Sequence, residues 1–578
     1  MSAKKIGVYV CQCGGNIGDY VDVDEVVAGI EKEEGVTVAK TAMFTCSDAT
    51  QSEIIDDARE QGLDGLVIAS CSPKLHTYTF RDVARRAGMN PFQYTQVNVR
   101  EQCSWTHTDD HTGATEKALR LVRAGINRTR LTDPLEPIVV ETTPKSLVVG
   151  GGITGLRSAL GLAEIGLQVF LIEKEAMLGG WVGRFKDMYP HGRNGVALIA
   201  ELEAKVRDHP AITVFTQAEL ISKAGSFGSY QVTLGVQNAD QLETITVDVG
   251  SIVIATGADV YQPEDGELGY GIDGVVTIAE FKKMVEAGGP LKYNGRPVNT
   301  VAYIYCVGSR QGEDVEGGNT YCSRYCCTSA VHTATLVADL PGRVHQYHFY
   351  RDIRTYGKYE LLYAEALEKG SAFVKYPDDE PPTVEKAAKG GITVTSRDLL
   401  SEGEEVALTA DLVVLVTGMV PRDNEGLTRA LKLPIGQSGF YNEIHPKLRP
   451  VETVVDGAYI CGTCQAPRTS SEAVASGLAA VTQSAAILKR GYAELDPLVA
   501  TVDTDRCTWC GECEFTCPYD AITREPLDGK EVAAISKTAC KGCGGCVPVC
   551  PSDAIDLQGY TDAQIRSMID GMLEVVCS

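Results

Sequence analysis

Hydrophobic and polar positions alternate along the first 130 residues in a pattern that predicts strands and helices in turn. Apolar runs of strand length recur at four places: Ile6–Val10, Val36–Lys40, Leu66–Ser70 and Phe92–Val97. The stretches between them, such as Glu53–Gln61 and Phe80–Gly88, have the mixed polar and apolar pattern of helices. Because strands that alternate with helices form parallel sheets, residues 1–130 are predicted to be a parallel α/β domain.

A second α/β region is predicted from Lys145 to about residue 490. Its strand candidates are Ser146–Val149, Gln168–Glu173, Ser251–Thr256, Val301–Cys306 and Asp411–Val416. The chain closes with a predicted helix, Thr561–Cys577, whose apolar side chains share one stripe: Ile565, Met568, Ile569, Met572, Leu573 and Val576. We expect this stripe to pack against the rest of the chain, and docking of a partner subunit is the alternative.

Composition and charge narrow the function classes. The 578 residues include 53 Lys and Arg against 77 Asp and Glu, and the net charge of −24 argues against nucleic acid or an anionic membrane as the main partner. No apolar run reaches the roughly 18 residues that span a membrane, and no export signal opens the chain. The 20 cysteines therefore predict metal or redox chemistry in a cytoplasmic protein.

Eight of the cysteines form an internal repeat near the C-terminus. Each copy reads C-x2-C-x2-C-x3-C-P, the pattern of two-cluster bacterial ferredoxins, in which the fourth cysteine of one copy ligates the other cluster. One 4Fe–4S cluster is therefore assigned to Cys507, Cys510, Cys513 and Cys550, and a second to Cys540, Cys543, Cys546 and Cys517. Structural zinc and disulfides, the alternatives, do not explain the C-P ending or the tandem repeat.

A glycine-rich turn follows the first strand of the second region. Gly150, Gly152 and Gly155 match the G-x-G-x-x-G fingerprint between a strand and a helix. In that motif the first glycine makes the turn, the second lets the backbone approach a pyrophosphate, and the third allows the helix to pack on the sheet. Glu173, which ends the next strand, has the spacing of a carboxylate that binds ribose hydroxyls. An NAD site or a plain βαβ turn is the alternative.

Further segments resemble FAD-dependent flavoproteins of the disulfide-reductase type. The residues that carry this resemblance are Lys174, Gly179, Gly180, Thr256, Gly257, Gly462, Ser476 and Gly477. In that family the last of these segments reaches the ribityl and ring end of the flavin. FAD is therefore the expected cofactor, and the second region is expected to have a thioredoxin-reductase-like fold.

The second glycine fingerprint, which such flavoproteins use for NAD(P)H, is missing after the strand Val301–Cys306. A pyrophosphate has no cradle there, so a nicotinamide donor is not expected. Four cysteines occur instead within 22 residues: Cys306, Cys322, Cys326 and Cys327. They predict a third iron–sulfur site beside the flavin. A Cys326/Cys327 redox pair and simple buried thiols are the alternatives.

Five cysteines of the first domain follow strand candidates. Cys11 and Cys13 end the first strand, Cys71 ends the third, and Cys46 and Cys103 follow the other two. Since the carboxyl ends of parallel strands lie at one edge of a sheet, these thiols are expected to converge there. We predict a fourth 4Fe–4S cluster on Cys13, Cys46, Cys71 and Cys103, with Cys11 as the alternate. Ordinary buried cysteines are the competing interpretation.

Over nearly its whole length the chain resembles the A subunit of heterodisulfide reductase. The strings that carry the resemblance are IGVYVCQCGGNI at 6–17, ASCSPK at 69–74, REQCSWTH at 100–107 and CSRYCC at 322–327, with the FAD segment and the ferredoxin tail. The resemblance implies a cytoplasmic subunit of a large anaerobic redox complex that carries FAD and several 4Fe–4S clusters, and the cysteine groups of this chain predict about four of them. In some members the flavin splits electron pairs between a high-potential acceptor and ferredoxin.

The resemblance also implies the partners. These are ferredoxin and other subunits of the complex, which are HdrB- and HdrC-like, MvhD-like or similar to the tungsten benzoyl-CoA reductase. Methanogen members often carry a ferredoxin insert inside the flavin region, but residues 225–300 contain no cysteine, so this insert is absent. Such members tend to have a lysine near the flavin five residues after the last cysteine of this group, where this chain has His332. His332 is therefore a candidate catalytic residue that would be cationic only part of the time; a packed or surface histidine is the alternative.

The predicted domains follow from these assignments. They are an N-terminal iron–sulfur domain (1–130), a linker (131–144), a first FAD segment (145–290), a second thioredoxin-reductase-like domain with the cysteine site (291–410), a returning FAD segment (411–495), and an α+β two-cluster ferredoxin domain with the terminal helix (496–578). The favoured function is an FAD and iron–sulfur electron-transfer subunit of an oxidoreductase. The alternatives are a self-contained NAD(P)H-dependent disulfide or polysulfide reductase and a non-catalytic wiring subunit.

Overall fold

The computed structural model describes residues 4–190, 192–238 and 241–573. The chain forms two compact units, one made of Met1–Val140 with Glu494–Ser578 and the other of Glu141–Ala493. Val576 and Cys577, which the sequence places on the terminal helix, lie outside the described residues. No helix of the described ranges combines the length and the apolar character that crossing a membrane requires.

The strands and helices have the following bounds. The strands are β1 (Ile6–Cys11), β2 (Val36–Ala42), β3 (Gly65–Ser70), β4 (Tyr94–Asn98), β5 (Ile138–Glu141), β6 (Lys145–Val149), β7 (Gln168–Glu173), β8 (Asp187–Met188), β9 (Arg193–Asn194), β10 (Ile212–Thr216), β11 (Ala218–Ser226), β12 (Ser229–Asn238), β13 (Gln241–Val249), β14 (Ser251–Ile254), β15 (Ala258–Val260), β16 (Val275–Thr277), β17 (Lys292–Tyr293), β18 (Arg296–Pro297), β19 (Thr300–Val307), β20 (His345–Tyr350), β21 (Ala372–Lys375), β22 (Thr383–Lys386), β23 (Ile392–Asp398), β24 (Glu404–Ala410), β25 (Leu412–Thr417), β26 (Met419–Pro421), β27 (Ala458–Ile460), β28 (Tyr492–Leu495), β29 (Ala500–Val502), β30 (Ile522–Leu527), β31 (Lys530–Ile535) and β32 (Ile555–Leu557). The helices are α1 (Val23–Ile30), α2 (Asp48–Gln61), α3 (Pro73–Ala87), α4 (His111–Arg130), α5 (Ile153–Glu164), α6 (Gly195–Asp208), α7 (Ile278–Glu286), α8 (Cys326–Ala338), α9 (Glu360–Glu368), α10 (Glu425–Leu431), α11 (Ser470–Leu488), α12 (Glu512–Thr516) and α13 (Asp562–Leu573).

The N-terminal part of the first unit is a four-stranded parallel sheet in the order β2-β1-β3-β4, which confirms the predicted parallel α/β fold. Helices α1 and α4 bury one face of the sheet, and α2 and α3 bury the other. Helix α2 begins earlier than the apolar pattern indicates. Ser47 caps it by accepting a hydrogen bond from the amide of Thr50, so its first turn is polar and escapes a search for hydrophobic periodicity.

The C-terminal part of the same unit has two antiparallel strand pairs, β29-β32 and β30-β31, followed by α13. Helix α13 packs against α4 through a polar and small face. Gln564 and Gly571 are buried, and Asn127 on α4 donates a hydrogen bond to the carbonyl of Ser567. The predicted apolar stripe is wrong as the packing face, since Ile569 is 49% exposed. Gly571 lies against the α4 backbone, a close approach that a larger side chain would prevent.

The second unit contains two five-stranded parallel sheets. The first has the order β10-β7-β6-β14-β27, and the second has the order β16-β25-β19-β20-β21. The antiparallel sheets β11-β12-β13 and β22-β23-β24 complete it. The domain boundaries predicted at 290 and 411 differ from this sheet membership, because both β16 and β25 pair inside the second sheet. Continuous hydrophobic strands do not reveal which of two parallel sheets they join.

Candidate functional site

A large cleft in the second unit brings most of the predicted cofactor residues together. Its volume is about 1130 Å³, which exceeds the range of about 300–1,000 Å³ that is typical of small-ligand pockets and suits an extended ligand. The predicted residues that line it are Gly150, Gly152, Glu173, Lys174, Gly179, Gly180, Thr256 and Gly257.

The glycine turn between β6 and α5 has the geometry that its motif requires. Gly150 has φ +107°, and a side chain there would lie 2.4 Å from the carbonyl oxygen of Ala255. A side chain on Gly155 would lie 1.7 Å from the carbonyl oxygen of Gly150, so only glycine lets α5 start this close to the turn. Gly152 faces open space and caps α5 without a side-chain partner. The first amides of α5 therefore form a cradle that fits a pyrophosphate.

Two residues at the end of β7 shape the opposite wall. The carboxylate of Glu173 accepts hydrogen bonds from the amides of Gly151, at 2.6 Å, and Glu175, at 2.9 Å. These bonds fix the carboxylate beside the glycine turn, and its remaining lone pairs suit ribose hydroxyls. Lys174 lies at the exposed rim, where its Nζ is 3.3 Å from an oxygen of Glu219.

Four predicted cofactor residues do not line the cleft: Gly155, Gly462, Ser476 and Gly477. Ser476 accepts a hydrogen bond from the amide of Gly462 at 2.7 Å. Side chains on Gly462 and Gly477 would lie 2.8 Å from the hydroxyls of Thr154 and Ser158, respectively. These positions hold the loop after β27 and helix α11 tightly against α5, so they shape the cleft from behind its wall.

His332 also lies behind the wall and not on it. Its ring contacts Tyr189 edge-on within a buried part of α8. Burial, with a smaller contribution from the charge of Lys282, lowers the pKa of His332 to about 4, so the imidazole is neutral at neutral pH. This corrects the expectation that His332 is cationic part of the time. Lys282 on α7 lines the cleft instead, with its Nζ 3.5 Å from Nδ1 of His332, and nothing in the sequence pattern singles it out.

The four cysteines after the flavin region converge at the end of β19 and the start of α8. Cys306 has φ +65° where the pairing register of β19 shifts, an uncommon backbone state for a residue other than glycine. The neighbouring thiol of Cys327 and burial raise the pKa of Cys326, and Cys306 and Cys322 raise it further. The other three thiols therefore all lie near Cys326.

Arginines surround this group of thiols. Nη1 of Arg310 lies 4.0 Å from the sulfur of Cys306. Burial and the thiol of Cys327 raise the pKa of Cys306, whereas Arg351 and Arg310 lower it. The thiol of Cys326 lowers the pKa of Cys327, and Arg354 and Arg310 contribute in the same direction. The positive surroundings favour thiolates, which are the form that ligates iron.

Among four of the five N-terminal cysteines, neighbouring thiols shift each other's pKa values. Burial raises the pKa of Cys46, and the thiols of Cys11 and Cys13 raise it further. Burial, with a smaller contribution from Cys13, raises the pKa of Cys71 to about 11 against the opposing effect of Arg100. Nη1 of Arg100 donates to the sulfur of Cys13 at 3.4 Å. Cys13 therefore lies near both Cys46 and Cys71, and Cys11 lies near Cys46.

Cys103 differs from the other cysteines of its domain. It is fully buried, and its thiol donates a hydrogen bond to the carbonyl of Ala114 on α4 at 2.9 Å. Burial raises its pKa, and the charged neighbour that affects it is Lys117, not another thiol. The structure therefore places Cys11, the predicted alternate, with the other thiols and turns Cys103 toward the helix.

The ferredoxin repeat surrounds two small cavities. Cys507, Cys510, Cys513 and Cys550 line one of them, and Cys517, Cys540, Cys543 and Cys546 line the other. The repeat also duplicates its hydrogen bonds: the amide of Ala554 donates to Cys550 at 3.2 Å, and that of Ala521 donates to Cys517 at 3.4 Å. The grouping of thiols is thus the one that exchanges the fourth cysteine between the repeats. Amide donors of this kind tune the potential of a cluster.

In the part of the chain that the structure describes, no comparable site for a single metal ion is present. Across residues 4–190, 192–238 and 241–573, no three His, Cys, Asp or Glu side chains are grouped as ligands of one ion. A cubane differs, because each thiolate binds its own iron at a separate corner. The remaining pair, Cys461 and Cys464, is buried, and both thiols donate to the carbonyl of Ile254, at 3.5 and 3.4 Å, as packed thiols do.

Comparison with protein families and relatives identifies two domains and a family. Residues 500–557 match the 4Fe-4S dicluster domain, and residues 148–217 match the NAD(P)-binding Rossmann-like domain. An iron–sulfur A subunit of CoB–CoM heterodisulfide reductase from Methanopyrus kandleri is 34% identical, over 91% of this chain and 92% of the relative. The corresponding protein from Methanocaldococcus jannaschii is also 34% identical, over 99% of both chains. The chain belongs to the family of heterodisulfide reductase A subunits.

As a member of this family, the chain is an oxidoreductase subunit of the flavin and iron–sulfur electron-transfer type. The alignment with the M. jannaschii protein spans 655 positions although this chain has 578 residues, so the relative carries inserted segments. Among solved structures, thioredoxin reductase from T. acidophilum is 14% identical, with a TM-score of 0.41 over 60% of this chain and 99% of that enzyme.

Proposed function

We propose that this heterodisulfide reductase-like chain holds FAD and four 4Fe–4S clusters, and that it passes electrons within a cytoplasmic multisubunit complex for which ferredoxin is one redox partner. The observation that carries the proposal is the large cleft, in a chain whose ferredoxin repeat forms two sets of four thiols and which has two further groups of neighbouring thiols. When bound, FAD exchanges electrons singly or in pairs, and 4Fe–4S clusters exchange them one at a time.

The chain's own residues account for FAD binding. Gly152 and the first turn of α5 would hold the pyrophosphate, because their amides face the cleft without a side-chain cap. Glu173 would bind the ribose hydroxyls from its fixed position beside Gly151. The cleft extends to Thr256, Gly257 and Lys282, which leaves room beyond a mononucleotide.

Each cluster has its own set of thiols. The ferredoxin pair would use Cys507, Cys510, Cys513 and Cys550 for one cluster, and Cys540, Cys543, Cys546 and Cys517 for the other. Cys306, Cys322, Cys326 and Cys327 would hold the third. For the fourth we replace the predicted Cys103 with Cys11, so that its ligands are Cys11, Cys13, Cys46 and Cys71.

Two observations argue against a self-contained NAD(P)H-dependent disulfide reductase. A side chain on Gly308, in the turn after β19, would lie 2.0 Å from the ring of Tyr261, so an aromatic ring occupies the place where a nicotinamide dinucleotide would rest its pyrophosphate. Cys326 and Cys327 are adjacent in α8, and consecutive Cα atoms about 3.8 Å apart are closer than the 4.4 Å minimum usual for a disulfide. Ligation of iron suits this pair better than reversible oxidation.

The proposed partners rest on the name of a relative and on one exposed apolar surface of this chain. The relative from Methanothermobacter thermautotrophicus is named the A subunit of a heterodisulfide, ferredoxin reductase. We extend that pair of acceptors to the present complex, in which electron pairs would divide between ferredoxin and a high-potential acceptor. The apolar stripe of α13, which includes Ile565, Ile569 and Met572, is exposed and supports docking of a further subunit.

Anaerobic purification of the full-length chain with its native complex tests the proposal. The expected content of this chain, separated from its partner subunits, is about 16 iron and 16 sulfide per FAD, and stepwise reduction should show cluster signals together with flavin bleaching. Rapid turnover with NAD(P)H alone, or iron in the ferredoxin tail only, would contradict it. The metals of the co-purifying subunits identify the terminal reaction, with tungsten indicating an aromatic-ring reductase.

A further inference from the structure

Lys282 on α7 places its ammonium in the wall of the cleft, and no carboxylate of the described residues forms an ion pair with it. The residue is 7% exposed. Within the described parts of the chain, the hydrogen-bond neighbour of its Nζ is Nδ1 of His332 at 3.5 Å, and no Asp or Glu oxygen lies within ion-pair distance. The ring of Phe185 lies beneath the ammonium at 5.8 Å.

The nearest acidic residues do not satisfy this ammonium. Glu286 and Asp187 act on Lys282 from a distance and raise its pKa, but burial is the larger effect and lowers it. The carboxylate of Glu286 is engaged elsewhere, since its two oxygens accept hydrogen bonds from the amides of Lys186 and Asp187 at 3.0 and 2.9 Å. These bonds tie the start of β8 to the end of α7.

His332 fixes where the ammonium lies. Because a lysine ammonium can only donate, Nδ1 of His332 must accept, and the ring proton is then on Nε2. The histidine is buried and held edge-on by Tyr189, so its orientation is set by packing within α8. The pair Lys282–His332 therefore has one positive charge, and it lies on the cleft side.

A buried charge without a partner is costly, and such groups concentrate at functional sites. We propose that Lys282 supplies the counter-charge for the negative charge that a flavin ring acquires on reduction, and that His332 is the positioning residue that holds the ammonium in place. The inference deepens the proposed function and rests on its FAD site. Its basis is that Lys282 faces the cleft, is deeply buried and forms no ion pair with the residues that the structure describes.

Sulfite binding to the full-length flavoprotein tests the role of Lys282. Sulfite adds to the oxidised flavin ring and leaves it negatively charged, so its affinity reports positive charge beside the ring independently of turnover. Lys282→Met should weaken sulfite binding about tenfold and disfavour the reduced flavin by a similar factor, which for a two-electron couple is about 30 mV. Lys282→Arg retains the charge and should change either value less than about threefold.

Lys283→Met is the matched control, because Lys283 is the next residue of α7 and is exposed. It should leave sulfite binding and the flavin potential unchanged. Flavin-free protein provides a second measurement: Lys282→Met should raise its melting temperature, because it removes a buried uncompensated charge. A purely structural lysine would instead lower it on replacement.

Each outcome is decisive. If Lys282→Met holds FAD and matches Lys283→Met in sulfite affinity and potential, the inference is overturned while the FAD site stands. If neither Lys282→Met nor Lys282→Arg retains FAD, the side chain serves packing and the inference fails as well. A wild-type protein without FAD would overturn the proposed function itself, a result that the flavin content distinguishes from the other two.

Discussion

Replacing Arg128 with methionine should weaken the attachment of the ferredoxin tail to the N-terminal domain within the first unit. Arg128 lies on α4 and is 5% exposed. Its guanidinium donates to the carbonyl of Gly559 at 2.6 and 3.2 Å and to the hydroxyl of Thr95 at 2.8 Å. It also stacks 4.2 Å from the ring centre of Tyr560. Methionine keeps most of the apolar stem but makes none of these polar contacts.

The expected loss can be worked from these contacts. Hydrogen bonds from a charged donor contribute about 1.5–3 kcal/mol each, and a desolvated cation–π contact contributes about 2 kcal/mol. Burial of the guanidinium opposes them, and this desolvation lowers the pKa of Arg128. The desolvation cost cancels most of the gain from these contacts, so we expect the substitution to lower the free energy of unfolding by about 3 kcal/mol. For a unit of this size that corresponds to a melting temperature lower by about 6–12 °C.

Differential scanning calorimetry under anaerobic conditions measures this change, and limited proteolysis should release the ferredoxin tail sooner. Arg120→Met is the matched control on the same helix, because its side chain is 53% exposed and pairs only loosely with Glu116, at 3.9 Å. Equal melting temperatures and equal proteolysis for the two variants would refute the reasoning that Arg128 joins the two parts.

Three further predictions concern the cofactor sites. Cys11→Ser should remove about a quarter of the iron, whereas Cys103→Ser should retain it, because Cys103 bonds to helix α4. Gly155→Ala should abolish FAD binding, since its methyl group would overlap the carbonyl of Gly150. Burial lowers the pKa of His332 to about 4. As the pH falls from about 6.5 to 4, His332 therefore binds a proton in the unfolded chain but not in the folded chain. Stability should fall over that window by up to about 3 kcal/mol, and His332→Gln should flatten the loss.

Each of these variants has a control in the same chain. Iron loss from Cys103→Ser but not from Cys11→Ser would restore the ligand set predicted from sequence. Gly436→Ala should keep FAD, because its added methyl group meets nothing closer than 3.6 Å; loss of FAD there as well would point to general destabilisation. Replacing the exposed His345 with glutamine is the control for the third prediction. If the stability of His332→Gln falls with decreasing pH as steeply as that of the wild type, other groups cause the loss.

The sequence alone determined the sites whose residues lie close together along the chain. The ferredoxin thiols divide between two cavities as their spacing predicts, because a C-x2-C-x2-C run fixes three ligands within one turn and a following C-P leaves it. The glycine turn at Gly150 is likewise predictable, since a strand, a tight turn and a helix start occupy only a few residues.

Tertiary structure decided the features that join distant segments. Whether Cys11 or Cys103 faces the other thiols depends on how the chain turns after β1 and β4, which spacing does not encode. Helix α13 turned its apolar stripe outward because Gly571 permits a closer approach to α4 than the stripe would. Lys282 became a cleft residue only when α7 packed beside α8 and brought it to His332, 50 positions away in the chain. Periodicity identifies which face of a helix is apolar, but the element that covers this face is selected by packing between segments far apart in sequence.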